Sequence, residues 1–161
     1  MFDKPDICGE CGGKCCKRYP GCTFPIDFGL KDGVEPDFTK LTEALNSGRW
    51  CIDWWEGDTS LKQEQTPAPL DRAYFVRPSL VGSEGEIRQG LWGGKPCTFL
   101  SDTGCTLEAD SRPLMCKMLE PIPKRRASDV SGRHCKLHGD TGKQDACIAW
   151  IPYWNFLDKY E

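Results

Sequence analysis

The sequence predicts a small, cysteine-rich α+β fold of short strands and hairpins with two or three helices, in a single domain spanning 1–161. Three observations lead there. Leu, Ile, Val and Phe together make up 31 of 161 residues, about 19%. So low a share marks disorder when net charge is also high, yet here the net charge is only −3. Eleven cysteines and six tryptophans stand beside the few aliphatics, so other cross-links must offset the entropy of ordering the chain. Finally, the apolar runs are short and bounded by turn-forming residues.

Residues 1–22 form a Gly/Cys-rich knuckle, in which glycines permit the turns that wrap a backbone around an ion. Thr23 to Leu30 is predicted as a short strand. A helix is expected over Pro36 to Ser47, with Phe38, Leu41 and Leu45 at helical spacing and Gly48 as its C-terminal cap. Trp50 to Trp55 and Ala73 to Arg77 read as strands, separated by a polar loop from Gly57 to Leu70. Lys95 to Leu107 reads as a hairpin turning at Ser101-Asp102-Thr103-Gly104. Ser111 offers an N-cap to a short helix with Pro113 in its first turn, ending near Leu119 and broken by Pro121 and Pro123. Lys124 to Lys143 reads as irregular. The last segment places Cys147, Trp150, Ile151, Trp154 and Leu157 on one helical face, with Pro152 kinking or restarting the helix.

The cysteines choose between disulfides and metal. Residues 1–6 read Met-Phe-Asp-Lys-Pro-Asp, acidic and proline-broken, so secretion is not expected; the cysteines are odd in number, and four crowd into residues 8–16. Disulfide frameworks spread their bridges, whereas metal sites need close pairs such as C-x2-C. Metal is therefore expected, in one or two sites, and with it a reducing, cytoplasmic location. Sites of this kind want cations nearby, and Arg112, Lys117 and Arg133 lie close to cysteines in sequence. With so thin an aliphatic core, removing the metal is expected to unfold the domain.

Two blocks carry the identity. The first is Cys8-x2-Cys11-x3-Cys15-Cys16. The second runs from Cys97-Thr-Phe-Leu through Cys105 to Arg112-Pro113-Leu-Met-Cys116. Together they resemble the YkgJ-type cysteine-cluster family, a zinc- or iron-chelating domain that pairs C-x2-C-x3-C-C with a later C-x-F-L, a cysteine and R-P-x-x-C. The resemblance spans 8–116. The family usually follows R-P-x-x-C with Arg and an aromatic-Pro pair, where this chain has Lys117 and Met118-Leu119-Glu120-Pro121. A further downstream cysteine is usual in the family, and either Cys135 or Cys147 fits that place.

The resemblance thus implies metal ligands among Cys8, Cys11, Cys15, Cys16, Cys97, Cys105, Cys116, Cys135 and Cys147. Cys22 and Cys51 fall outside the pattern and read as buried small hydrophobes. Zinc and iron–sulfur clusters both accept four thiolates. His134 and His138 are the only histidines available to a mixed zinc site. The similarity of this cluster to that of the flagellin lysine methylase, associated with a cubane, favours an iron–sulfur cluster of the 4Fe-4S type, with zinc as the alternative.

Function classes narrow in the same way. No phosphate-binding glycine loop and no nucleophile elbow is present, and all-cysteine metal sites are usually closed. An accessory or redox component of a protein modification or assembly system is expected, rather than an enzyme acting by itself. The alternative is a zinc-stabilised binding module for a protein or nucleic-acid partner, without a redox role. A protein partner is expected. Nucleic acid is not, because Lys124-Arg125-Arg126 is the only basic triplet on an acidic chain. No stretch is apolar enough to cross a membrane. The tryptophans read as core, in place of missing aliphatics, rather than as a recognition surface.

Overall fold

A computed structural model describes residues 21–56, 72–90, 94–101, 104–117, 119–121, 135–137 and 142–160. These residues form an α+β arrangement centred on an antiparallel ribbon. β1 (Trp50–Glu56) pairs with β2 (Arg72–Pro78), with Cys51 opposite Arg77, Ile52 opposite Val76 and Asp53 opposite Phe75. A two-stranded ribbon alone is marginal in water. Here both edges are covered. Beyond β1, the Ile52 N–H donates to the Ile87 carbonyl at 2.6 Å, and the Gln89 N–H donates back to the Ile52 carbonyl at 3.0 Å. Beyond β2, the Val76 carbonyl accepts from the Thr23 N–H at 3.0 Å and from its hydroxyl at 2.7 Å.

The expected tryptophan core is present. The C-terminal run divides as Pro152 requires: α-helix Gly142–Trp150, a 3-10 turn Ile151–Tyr153, then α-helix Trp154–Lys159. Cys147, Trp150, Ile151, Trp154 and Leu157 are all buried. Each large ring also satisfies its one donor. Trp150 Nε1 donates to the Thr23 carbonyl and Trp154 Nε1 to the Tyr74 carbonyl, both at 2.9 Å. These bonds tie the helices to β2 and to the segment beside it, so the rings supply both area and registration. Trp50 and Trp54 are half-buried against the same core. The side chains of Trp55 and Trp92 lie outside the described residues.

Helix α1 (Thr39–Asn46) starts three residues later than Pro36, because Asp37 caps it from outside. One Asp37 oxygen accepts from the Thr39 N–H at 3.0 Å and from its hydroxyl at 2.6 Å. Leu41 and Leu45 are buried as the spacing predicts. Gly48, at φ +82°, ends the helix in a left-handed conformation that suits glycine. Numbered on from it, α2 is Leu114–Lys117, α3 is Gly142–Trp150 and α4 is Trp154–Lys159.

Beside the ribbon lies one fully buried ion pair. Arg77 Nε donates to Asp53 Oδ2 at 2.8 Å with both side chains excluded from solvent. The guanidinium also donates to the Pro78 carbonyl at 2.9 Å and the Gln89 carbonyl at 3.3 Å, and Asp53 Oδ1 accepts from the Trp54 N–H at 2.7 Å. Such a pair is tolerable only when its remaining hydrogen-bonding capacity is used, as here.

Two expectations are corrected. Thr23 to Leu30 is not a strand, for Pro25–Phe28 forms a 3-10 turn. Pro25 suits its first position, Asp27 Oδ2 accepts from the Phe24 N–H at 2.8 Å, and Gly29 closes it at φ +77°. Nor is 124–143 wholly irregular. β6 (Cys135–Leu137) pairs antiparallel with β5 (Leu119–Pro121), with Cys135 opposite Pro121. The hairpin expected at 101–104 is present as β3 (Leu100–Ser101) against β4 (Gly104–Cys105). The polar loop at 57–70 lies outside the described residues.

Candidate metal centre

The C-x-F-L half of the second cysteine block is carried on an extension of the sheet. Leu80 and Cys97 form an antiparallel bridge, flanked by Val81 N–H to the Pro96 carbonyl at 2.8 Å and Thr98 N–H to the Ser79 carbonyl at 2.9 Å. Cys97 is consequently buried. Its carbonyl accepts from the Leu100 N–H at 3.0 Å, which turns the chain into the β3–β4 hairpin and brings half-buried Cys105 opposite Leu100.

R-P-x-x-C follows as a single helical turn. Arg112 is buried, and its Nε donates to the Leu107 carbonyl at 3.2 Å, so it braces the loop between Cys105 and Cys116. It is therefore not the solvated surface charge its residue type suggests. Pro113 has no N–H to leave unsatisfied, and its carbonyl accepts from the Cys116 N–H at 2.9 Å. The cap arrives from far away in sequence. Asp27 Oδ1 accepts from the Leu114 N–H at 2.8 Å, where Ser111 was the expected cap.

Helix α2 brings Cys116 against Gly21. Its Sγ packs so tightly against Gly21 that a Cβ at that position would collide with it. A larger residue there would force the thiol to move. Gly21 follows the 8–16 cysteines by five residues in sequence.

The electrostatics around Cys97 involve cations that spacing did not single out. Burial pushes the Cys97 thiol up to about 11, Cys105 adds to the rise, and a backbone hydrogen bond at Phe99 together with Arg49 and Arg77 oppose it. Burial likewise pushes Cys51 up to about 12, with Arg77 opposing and Asp53 and Cys97 reinforcing. Arg77 stands directly across the ribbon from Cys51. Arg49 donates to the Thr98 carbonyl at 2.8 Å and lies over the Phe99 ring. Only strand register reveals this neighbourhood, since Cys51, Arg77 and Cys97 are far apart in sequence.

The remaining positions divide clearly. Cys22 and Cys51 are buried, as their place outside the pattern suggested. Cys147 is fully buried in the hydrophobic core, where its Sγ donates to the Ala73 carbonyl at 3.4 Å. Cys135 sits in β6, away from that core helix in sequence, with only its backbone described. Cys8, Cys11, Cys15 and Cys16 lie outside the described residues, as do Arg133, His134 and His138. Among the described residues, no three His, Cys, Asp or Glu side chains come together in a group that could hold a metal ion.

A groove of about 710 Å³ lies elsewhere, between the 31–38 loop and the C-terminal helices, lined in part by Phe38, Tyr153, Phe156, Lys31 and Lys159. Phe38 stacks on Phe156 at 3.9 Å there. No described helix is long and apolar enough to cross a membrane. No known family, characterised protein or solved structure matches this chain.

Proposed function

We propose that this chain is a metal-binding protein whose cysteine thiolates hold an iron–sulfur cluster, 4Fe-4S being favoured. Its role is accessory or redox, within a protein modification or assembly system in the reducing cytoplasm. The approach of Cys116 Sγ to Gly21 carries the reading, because it sets the last thiol of the second block against the segment that follows the first block in sequence. The ligands are drawn from Cys8, Cys11, Cys15, Cys16, Cys97, Cys105 and Cys116, four to a cluster in one or two sites; Cys97, Cys105 and Cys116 do not form one group by themselves. Cys135 is the preferred downstream member, since the Cys147 thiol already serves the core and the Ala73 carbonyl. A bound cluster would supply one-electron chemistry. The protein's own part is to bury Cys97, brace the Cys105–Cys116 loop with Arg112, and place Arg49 and Arg77 where their charge offsets that of thiolates.

Single serine replacements test the reading on the anaerobically purified chain. Cys8→Ser, Cys11→Ser, Cys97→Ser and Cys116→Ser are each expected to lower bound metal, while Cys147→Ala retains it. Full occupancy in one of the four removes that residue from the set, and full occupancy in all four defeats the proposal. The alternative, a zinc-stabilised module binding a protein partner, draws its support from the aromatic groove. It predicts stoichiometric zinc and no visible chromophore.

A further inference from the structure

We propose that Asp27, which belongs to neither cysteine block, is the positioning residue that holds Cys116 of the second block against the segment that begins at Gly21. The inference rests on the metal-binding reading and extends it to a residue that spacing does not mark.

Both oxygens of the Asp27 carboxylate are engaged on different parts of the chain. Oδ2 accepts from the Phe24 N–H and Oδ1 from the Leu114 N–H, each at 2.8 Å. The first bond fixes the turn that follows Gly21 and Cys22. The second caps α2 two residues before Cys116. Carboxylate-to-N–H bonds of this length are charge-assisted and stronger than neutral ones.

The turn cannot drift, because Thr23 is bound to the Val76 carbonyl of β2 through both its N–H and its hydroxyl. Trp150 holds the Thr23 carbonyl from the core side. A closed circuit results: β2 holds Thr23, the turn holds Asp27, Asp27 holds α2, and α2 sets Cys116 against Gly21. The helix has a single turn and leaves Leu114 exposed. So short a helix has little stability of its own. Asp27 acts on the metal site through Cys116, not by ligation.

Two variants and a control test this in the full chain as purified. Asp27→Ala removes both acceptors. Leu114→Pro removes the N–H that donates to Asp27 Oδ1 and leaves Asp27 and its bond from Phe24 in place, at a first helical position that tolerates proline. Asp37→Ala removes an equally short carboxylate cap from α1 and serves as the control for general loosening. The readouts are the rate of metal loss to a chelator and the rate of Cys116 alkylation, localised by peptide mass spectrometry.

Both variants are expected to release metal about 10–100-fold faster, the range for residues that orient a ligand. Alkylation of Cys116 is expected to rise about tenfold, as for loss of one charged hydrogen bond. Asp37→Ala should change neither. If Asp27→Ala does not fold, Leu114→Pro decides. Alkylation of Cys116 at the wild-type rate in Leu114→Pro, or an equal rise in Asp37→Ala, overturns the assignment. A wild-type chain that carries no metal defeats the proposed function instead, and the alkylation rates still decide the role of Asp27.

Discussion

The ribbon with its C-terminal helices and the 104–117 segment are built on different principles. Residues 73–78 of β2 are all buried, Trp150 and Trp154 are completely so, and even the ion pair of Asp53 and Arg77 is closed to water. That region holds itself together by area and by satisfied donors. In the 104–117 segment, Cys105 and Cys116 are half-buried, Leu114 is exposed, and Arg112 and Pro113 are the buried residues among those whose side chains are described. It is braced internally by Arg112, and its attachments include the Leu114 N–H bond to Asp27, the Thr106 N–H bond to the Phe99 carbonyl and the hairpin of β3 and β4. The first region has its cross-links already, and the second is where a metal would contribute most.

The largest effects should follow from breaking the first region. Asp53→Ala strands the Arg77 charge in the interior and is expected to cost about 3–5 kcal/mol. Trp154→Ala should cost about the same through lost area and an orphaned Tyr74 carbonyl. Denaturant unfolding followed by tryptophan fluorescence measures both. Equal or smaller losses than from surface substitutions would mean that the ribbon is not the core of stability.

Metal removal should act on the other side of the comparison. The composition alone predicted that the whole domain would unfold. The Trp-rich ribbon core narrows that expectation, so amides of 104–117 should exchange with deuterium first while those of β1 and β2 stay protected. Simultaneous exchange in both regions would restore the global version.

A smaller effect concerns Cys51, whose thiol burial raises from the ordinary 9.0 to about 12. The folded chain keeps this proton after the unfolded chain has lost it. The resulting stability is complete below about pH 9 and disappears as pH rises through about 12. Unfolding midpoints should fall over that window, and Cys51→Ala should flatten the fall. An unchanged slope in Cys51→Ala would assign the alkaline loss to other groups.

Much of the first region was legible in the sequence. The two strands follow from short apolar runs rich in aromatic and β-branched residues, and the stripe from Cys147 to Leu157 follows from helical apolar spacing. Regions governed by a single distant partner were not legible. The turn at Pro25–Phe28 owes its form to Asp27, and the start of α2 to the same carboxylate 87 residues away. β6 is three residues long and carries too few positions to show a period. For the candidate site, spacing identified which cysteines to consider and that Cys22 and Cys51 stand apart. It could not show that Cys116 meets Gly21, or that Arg77 faces Cys51 across the ribbon, since both depend on folding geometry.

The most direct test of the account is elemental analysis of the anaerobically purified chain, with acid-labile sulfide measured on the same sample. The proposed function predicts a brown protein containing iron and sulfide in equal amounts. A colourless protein with stoichiometric zinc, and neither iron nor sulfide after anaerobic reconstitution, would contradict it.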